Sequence, residues 1–158
     1  MSASSFNPAF GYIQLGYHGK IPTAAMTGWP DMPRVMPTEI REWLAQGYNL
    51  GVRCDPQSGI WVLDVDVDLR TLEPSEEWAA LVAEHGTPDT YTVRSPSNGI
   101  HYYFRPPQGV EVRNDQSALV ATGVDIRGKG GYVVAPGMYA EYRKSKTYPD
   151  GEKVERNF

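Results

Sequence analysis

A chain of 158 residues suffices for one domain with a real core, and 41% hydrophobic with 22% charged residues is an ordinary globular balance. The net charge of −4 excludes coating of nucleic acid by bulk positive charge, although ten of the fifteen basic residues are arginine, the side chain suited to paired phosphate contacts. One cysteine, Cys54, excludes a disulfide framework and fits a reducing compartment; no apolar run approaches the roughly 20 residues of a membrane span, and Met1-Ser-Ala-Ser-Ser carries no export signal.

In chain order, residues 1–37 read as irregular, because Gly11, Gly16, Gly19, Pro22, Pro30, Pro33 and Pro37 interrupt any long element. Residues 38–46 predict a helix, with Thr38 as cap, Ile40, Trp43 and Leu44 as its stripe, and Gly47 as its end. Tyr48 to Cys54 alternates as a strand, and Asp55-Pro56-Gln57-Ser58-Gly59 is a turn leading into the apolar strand 60–68. A second amphipathic helix is expected over 75–85, with Trp78, Leu81 and Val82 on one side and Gly86 closing it. Strands 90–95 and 100–105 flank Pro96-Ser97-Asn98-Gly99 as a hairpin, and further strands are expected at 110–113, 123–127 and 132–135. Residues 141–158 read as a polar tail or the start of a missing region, after a domain spanning 1–140. Helices among mostly antiparallel strands predict an α+β (mixed α/β) fold.

Three polar features stand out. In Ile60-Trp61-Val62-Leu63-Asp64-Val65-Asp66-Val67-Asp68 the strand period of two puts Asp64, Asp66 and Asp68 on one face. Like charges so close repel unless a positive group sits among them, and oxygen ligands on a rigid element suit Mg²⁺ or Mn²⁺. His101 stands at the mouth of the hairpin, where Arg94, Ser97 and His101 together suit a phosphate. Gly123-Val124-Asp125-Ile126-Arg127-Gly128-Lys129-Gly130-Gly131 puts Asp125 and Arg127 on one strand face beside glycines that admit close approach. Each feature also has a plain structural reading: a solvated acidic face, a satisfied histidine, and a glycine-rich turn between strands.

Other site types fail. A phosphate-binding loop needs a hydroxyl at position 130, which is Gly, and a helix where the strand Tyr132–Ala135 follows. An EF-hand needs Gly at position 69 and Glu at position 75, which are Leu69 and Ser75. One Cys and three scattered His do not make a zinc site, and no nucleophile elbow supports a serine hydrolase.

Taken in order, the segments Gly19-Lys20-Ile21-Pro22, Trp29, Asn49-Leu50-Gly51, Ser58 to Asp66, Thr92 to Phe104 and Gly123 to Pro136 carry a resemblance. From about residue 10 to about residue 140 the chain resembles the bifunctional DNA primase/polymerase (prim-pol) domain of the archaeo-eukaryotic primase superfamily. The resemblance implies a primase-like core of mostly antiparallel sheet with flanking helices. It implies that Asp64 and Asp66 are the metal-binding acidic pair, that Gly99-Ile100-His101 is the motif whose histidine meets the triphosphate, and that Asp125 is the third carboxylate of a two-metal site. Arg94, Arg127 and Lys129 are assigned to triphosphate or template contacts by charge and place, with Ser97 and Gly99 beside them and Lys20 and Asn49 behind; Asp68 lies outside the pair. The activity implied is metal-dependent nucleotidyl transfer, making or extending primers on single-stranded DNA from nucleoside triphosphates. It further implies a helicase or missing C-terminal domain as partner, and the cytoplasm of a bacterial or archaeal cell, encoded by a phage, plasmid or other mobile element. Two other readings stay open: a catalytically reduced nucleotide- or DNA-binding module in replication initiation, and a metal-dependent phosphodiesterase or nuclease.

Overall fold

The computed structural model describes residues 6–115 and 122–158, so the leader expected to lack an export signal lies outside the described residues. The elements are β1 (Tyr12–Tyr17), α1 (Pro37–Ala45), β2 (Tyr48–Arg53), β3 (Trp61–Val65), α2 (Glu76–His85), β4 (Thr92–Arg94), β5 (Ile100–Phe104), β6 (Val124–Arg127), β7 (Tyr132–Val134), β8 (Arg143–Thr147) and β9 (Lys153–Asn157). All strand pairs are antiparallel: one sheet has the order β1-β2-β7, a second β4-β5-β3-β6, and β8-β9 stand as a hairpin. The fold is mixed α+β, as the sequence predicts. No helix among the described residues is long and apolar enough to cross a membrane.

Alternation in the four-stranded sheet separates two cores. Val62 and Tyr103 point to one side and join Tyr12, Ile13, Leu50, Val52 and Val133 of the three-stranded sheet in the main core. Val65, Tyr102 and Val124 point to the other, where Trp78 of α2 covers them with its ring 5.8 Å from that of Tyr102. The four-stranded sheet is therefore clamped between the other sheet and α2. Burying each large apolar side chain this way contributes roughly 1.5–3 kcal/mol.

The helices form where stripe and caps predict. Ser75 caps α2 by accepting from the Trp78 N–H at 3.2 Å, and Gly86 ends it at φ +83°. At α1 the expected cap is corrected: Met36 is the N-cap, without a side-chain bond, and Pro37 opens the helix with its preset φ.

Three further expectations give way. β1 lies inside the segment read as irregular; its first four residues are all buried, so no alternation marks it. No strand forms at 110–113, where only an isolated bridge joins Arg113 to Lys129. The polar tail is instead the hairpin β8–β9.

Candidate active site

β3 runs between β5 and β6, and its register sets Asp64 opposite His101 on one side and opposite Asp125 on the other. Directly opposed residues on a sheet face lie about 4.5–5.5 Å apart at Cβ. His101, Asp64 and Asp125 thus form a row across the sheet, on the face shared with Val62 and Tyr103. One step along, Val62 is paired with Arg127, so the guanidinium reaches back over the row. Its Nη2 donates to Oδ2 of Asp64 and Oδ2 of Asp125, at 2.9 Å each, and its Nε donates to Asp64 at 3.1 Å. The His101 Nε2 lies 3.4 Å from the second oxygen of Asp64, and its buried Nδ1 has no partner among the described residues.

β3 stops at Val65, so the three acidic side chains expected on one face do not share it. The Asp66 N–H donates to the Gly123 carbonyl at 2.8 Å, and its side chain lines the same cleft as Asp64. There Lys144 of β8 donates to Asp66 Oδ1 at 2.5 Å. Asp68 turns out of the cleft and accepts from the Tyr148 hydroxyl at 2.9 Å, with Lys146 at 3.8 Å.

The hairpin before His101 closes as expected: Asn98 adopts φ +64°, and the Ser95 N–H donates to the Gly99 carbonyl at 2.8 Å. Gly99 is required by space, since a Cβ there would lie 2.7 Å from the Val65 carbonyl oxygen. Ser97 is buried with its Oγ 3.3 Å from that of Ser95.

Asp64, Asp66, Ser97, His101 and Arg127 wall a cleft of about 320 Å³ whose other side is Lys20, Tyr132 and Tyr142, with Asp125 behind Arg127 rather than in the lining. The Lys20 ammonium sits 3.9 Å above the Tyr142 ring. Three carboxylates (Asp64, Asp66, Asp125) thus meet three cations (Lys20, Arg127, Lys144). Burial pushes the Asp64 carboxyl up, but His101 and Arg127 outweigh it and hold Asp64 below the usual carboxylate range. Burial raises Asp125 above that range, with Asp64 and Asp66 adding to the rise against Arg127. Lys20 is lowered, first by burial and then by Lys144.

Not every expected residue joins this site. Lys129 pairs with Glu111 at 2.8 Å and lines a different hollow. Arg94 lies in a hollow that adjoins the cleft through His101. Asn49 is a structural tie, donating to the carbonyls of Gly19 and Tyr139 at 2.9 and 2.7 Å. Lys144 and Tyr142 went unassigned in the sequence. Their signal is there in retrospect: Lys144 and Lys146, two apart on one strand, match Asp66 and Asp68, two apart on another segment.

The chain matches the family model for the bifunctional DNA primase/polymerase N-terminal domain over residues 10–154, nearly its whole length. It belongs to that family. No curated protein matches it. The prim-pol match extends into the β8–β9 hairpin and so takes in Lys144. The family is one of DNA primases and polymerases, whose substrates are DNA and nucleotides.

Among the described residues no three carboxylate, histidine or cysteine side chains are grouped closely enough to hold a metal ion as they stand. Yet Arg127 Nη2, equidistant at 2.9 Å from two carboxylates on neighbouring strands, marks a point where positive charge is shared. Asp64, Asp66 and Asp125 offer only hard oxygens, the chemistry Mg²⁺ and Mn²⁺ prefer.

Proposed function

We propose that this chain is a metal-dependent nucleotidyltransferase that makes or extends primers on a single-stranded DNA template, from nucleoside triphosphates. The observation that carries the reading is the row His101–Asp64–Asp125 under Arg127, where His101, Asp64 and Arg127 line a cleft together with Asp66, Lys20 and Lys144. Asp64, Asp66 and Asp125 would hold Mg²⁺ or Mn²⁺, which supplies Lewis-acid stabilisation of the charge that develops on phosphate oxygens. The chain's own part is positioning and electrostatics. Arg127 and Lys144 neutralise the carboxylates in the free protein, and they turn to the triphosphate when the carboxylates take up the cation. Lys20, lining the same cleft, adds a third positive group on the triphosphate. His101, with its Nε2 3.4 Å from Asp64, lines the cleft and would be the imidazole that meets a phosphate oxygen there. The mobile-element setting, a cytoplasmic place in a bacterial or archaeal cell and a helicase partner belong to the same reading and rest on the family alone.

The test is incorporation of labelled nucleotide on primed and unprimed single-stranded DNA with Mg²⁺ or Mn²⁺, beside Asp64→Asn. Template-dependent product that disappears in Asp64→Asn and in EDTA is expected. Nucleotide binding without product would leave a binding module, and strand degradation without nucleotide would leave a nuclease.

A further inference from the structure

The gap between the two sheets does not end at His101. Ser95, Pro96, His101 and Val134 line both the carboxylate cleft and a second hollow of about 630 Å³. Ala135 and Met138 of that hollow also line a third, of about 660 Å³, whose walls include Phe10, Tyr103 and Phe104. The three hollows follow one another along the molecule, and each outer one carries the same pair of side chains. Tyr139 (62% exposed) accompanies Arg94 in the second, and Tyr91 (58% exposed) accompanies Arg105 in the third.

Both tyrosine rings are braced from the side and uncovered. Tyr139 meets the His18 ring at 82° and donates its hydroxyl to Glu141 at 2.5 Å; Tyr91 meets Tyr103 at 75°. Neither has a stacked partner among the described residues. Arg94 and Arg105 are both exposed, and neither has a carboxylate partner among the described residues, whereas Arg70, Arg127 and Arg143 are all paired. The third hollow also holds the buried Tyr103 hydroxyl, which has no hydrogen-bond partner among those residues.

We propose that the two outer hollows are the track of the single-stranded template, with bases resting on Tyr139 and Tyr91 and phosphates facing Arg94 and Arg105. The inference extends the polymerase reading above. Charge density separates the track from the nucleotide site. The inner cleft crowds Lys20, Arg127 and Lys144 into about 320 Å³, which suits a polyphosphate. The outer hollows offer one arginine per tyrosine, the ratio of one phosphate per base. Stacking on an aromatic face accepts any base, as template copying demands. A duplex, whose bases are already stacked on each other, has no use for either ring.

The experiment is fluorescence anisotropy of the full chain with a labelled oligothymidylate of about twenty nucleotides, in EDTA and without nucleotide. Tyr91→Ala and Tyr139→Ala are each expected to weaken binding about tenfold, and the Phe variants to restore it, because a stacking face is what matters. In Arg94→Ala/Arg105→Ala the slope of log affinity against log salt should fall by about 1.4, the value for two phosphate contacts to a single strand. Asp68→Asn, outside both the cleft and the track, should bind the oligonucleotide as the unchanged protein does. Loss of binding in the Tyr→Ala variants, with no incorporation by any form, would leave the track standing and remove the polymerase reading. The track is overturned if Tyr91→Ala and Tyr139→Ala bind as the unchanged protein does, if the salt slope of Arg94→Ala/Arg105→Ala is unchanged, if the unchanged protein does not bind the oligonucleotide, or if duplex of equal length competes equally well. Circular dichroism of each variant shows whether the exposed positions leave the fold intact.

Discussion

Arg53 of β2 and Arg127 of β6, on different sheets, are each held by carboxylates, and they are held differently. Arg53 donates to Asp55 at 2.6 Å, to the Met32 carbonyl at 2.9 Å and to the Pro30 carbonyl at 2.8 Å, while its guanidinium lies 5.4 Å from the Trp29 ring centre. Asp55 in turn accepts the Gln57 N–H at 2.9 Å. These bonds tie the end of β2 to the turn after it and to the Pro30–Met32 segment, and the pair is 4% and 5% exposed. Among the described residues Arg127 donates only to Asp64 and Asp125; it faces a cleft whose lining includes His101, a side chain with one buried nitrogen that has no partner among those residues. In the first every guanidinium nitrogen and both carboxylate oxygens have a partner, although the neighbouring Gln57 Oε1 has none among the described residues, and the pair is structural. The second is balanced in charge but incomplete in hydrogen bonds, which is what a site that exchanges one cation for another requires.

The largest effect should come from breaking the first network. Arg53→Met leaves Asp55 buried without its cation, a change that costs about 3–5 kcal/mol, and urea denaturation should show the midpoint falling accordingly. Asp64→Asn should cut nucleotide incorporation by at least about a hundredfold, the scale of losing a preorganised charge contact, while its urea midpoint falls less than that of Arg53→Met. If both variants lost the same stability, the contrast between the networks would be wrong.

A smaller effect sharpens the contrast through pH. Asp64 is held below the usual carboxylate range, so its contribution to stability is present above that range and is lost as pH falls through its lowered value. Asp125 is raised, so its ionisation destabilises the fold as pH rises through its raised value. In EDTA, Asp64→Asn should melt below the unchanged protein at neutral pH, and Asp125→Asn above it. Both differences should shrink as pH falls from about 7 to about 3, past the ordinary carboxylate values. Melting curves at intervals across that range check the signs. The smallest effect is expected at Lys144→Met: a partly exposed pair of this kind is worth about 0–1 kcal/mol, so melting barely moves while the apparent affinity for nucleoside triphosphate falls.

Much of this arrangement was legible before any coordinates. β3, β5 and the Ser97-Asn98-Gly99 turn follow from strand periodicity and turn chemistry, and the register then brings His101 to Asp64. Both helices follow from their stripes. β1 was hidden because Tyr12 to Leu15 is buried on both faces and so shows no period of two. The common face for Asp64, Asp66 and Asp68 assumed a strand that continues, but the chain leaves the sheet after Val65. The β8–β9 hairpin looked like a tail because lysines facing carboxylates tie it to the cleft, and hydrophobic patterning does not register such pairs. Lys129 seemed to belong with Asp125 by proximity in sequence, yet the glycines around it turn it towards Glu111.

The central claim is that the carboxylate row trades its arginine for a divalent cation. Mn²⁺ titration followed by electron paramagnetic resonance, on the full chain without nucleotide, tests it most directly. The account predicts saturable binding that is lost in Asp64→Asn and in Asp125→Asn and kept in Asp68→Asn. Absence of Mn²⁺ binding by the unchanged protein, or equal binding by Asp64→Asn and Asp125→Asn, would contradict it.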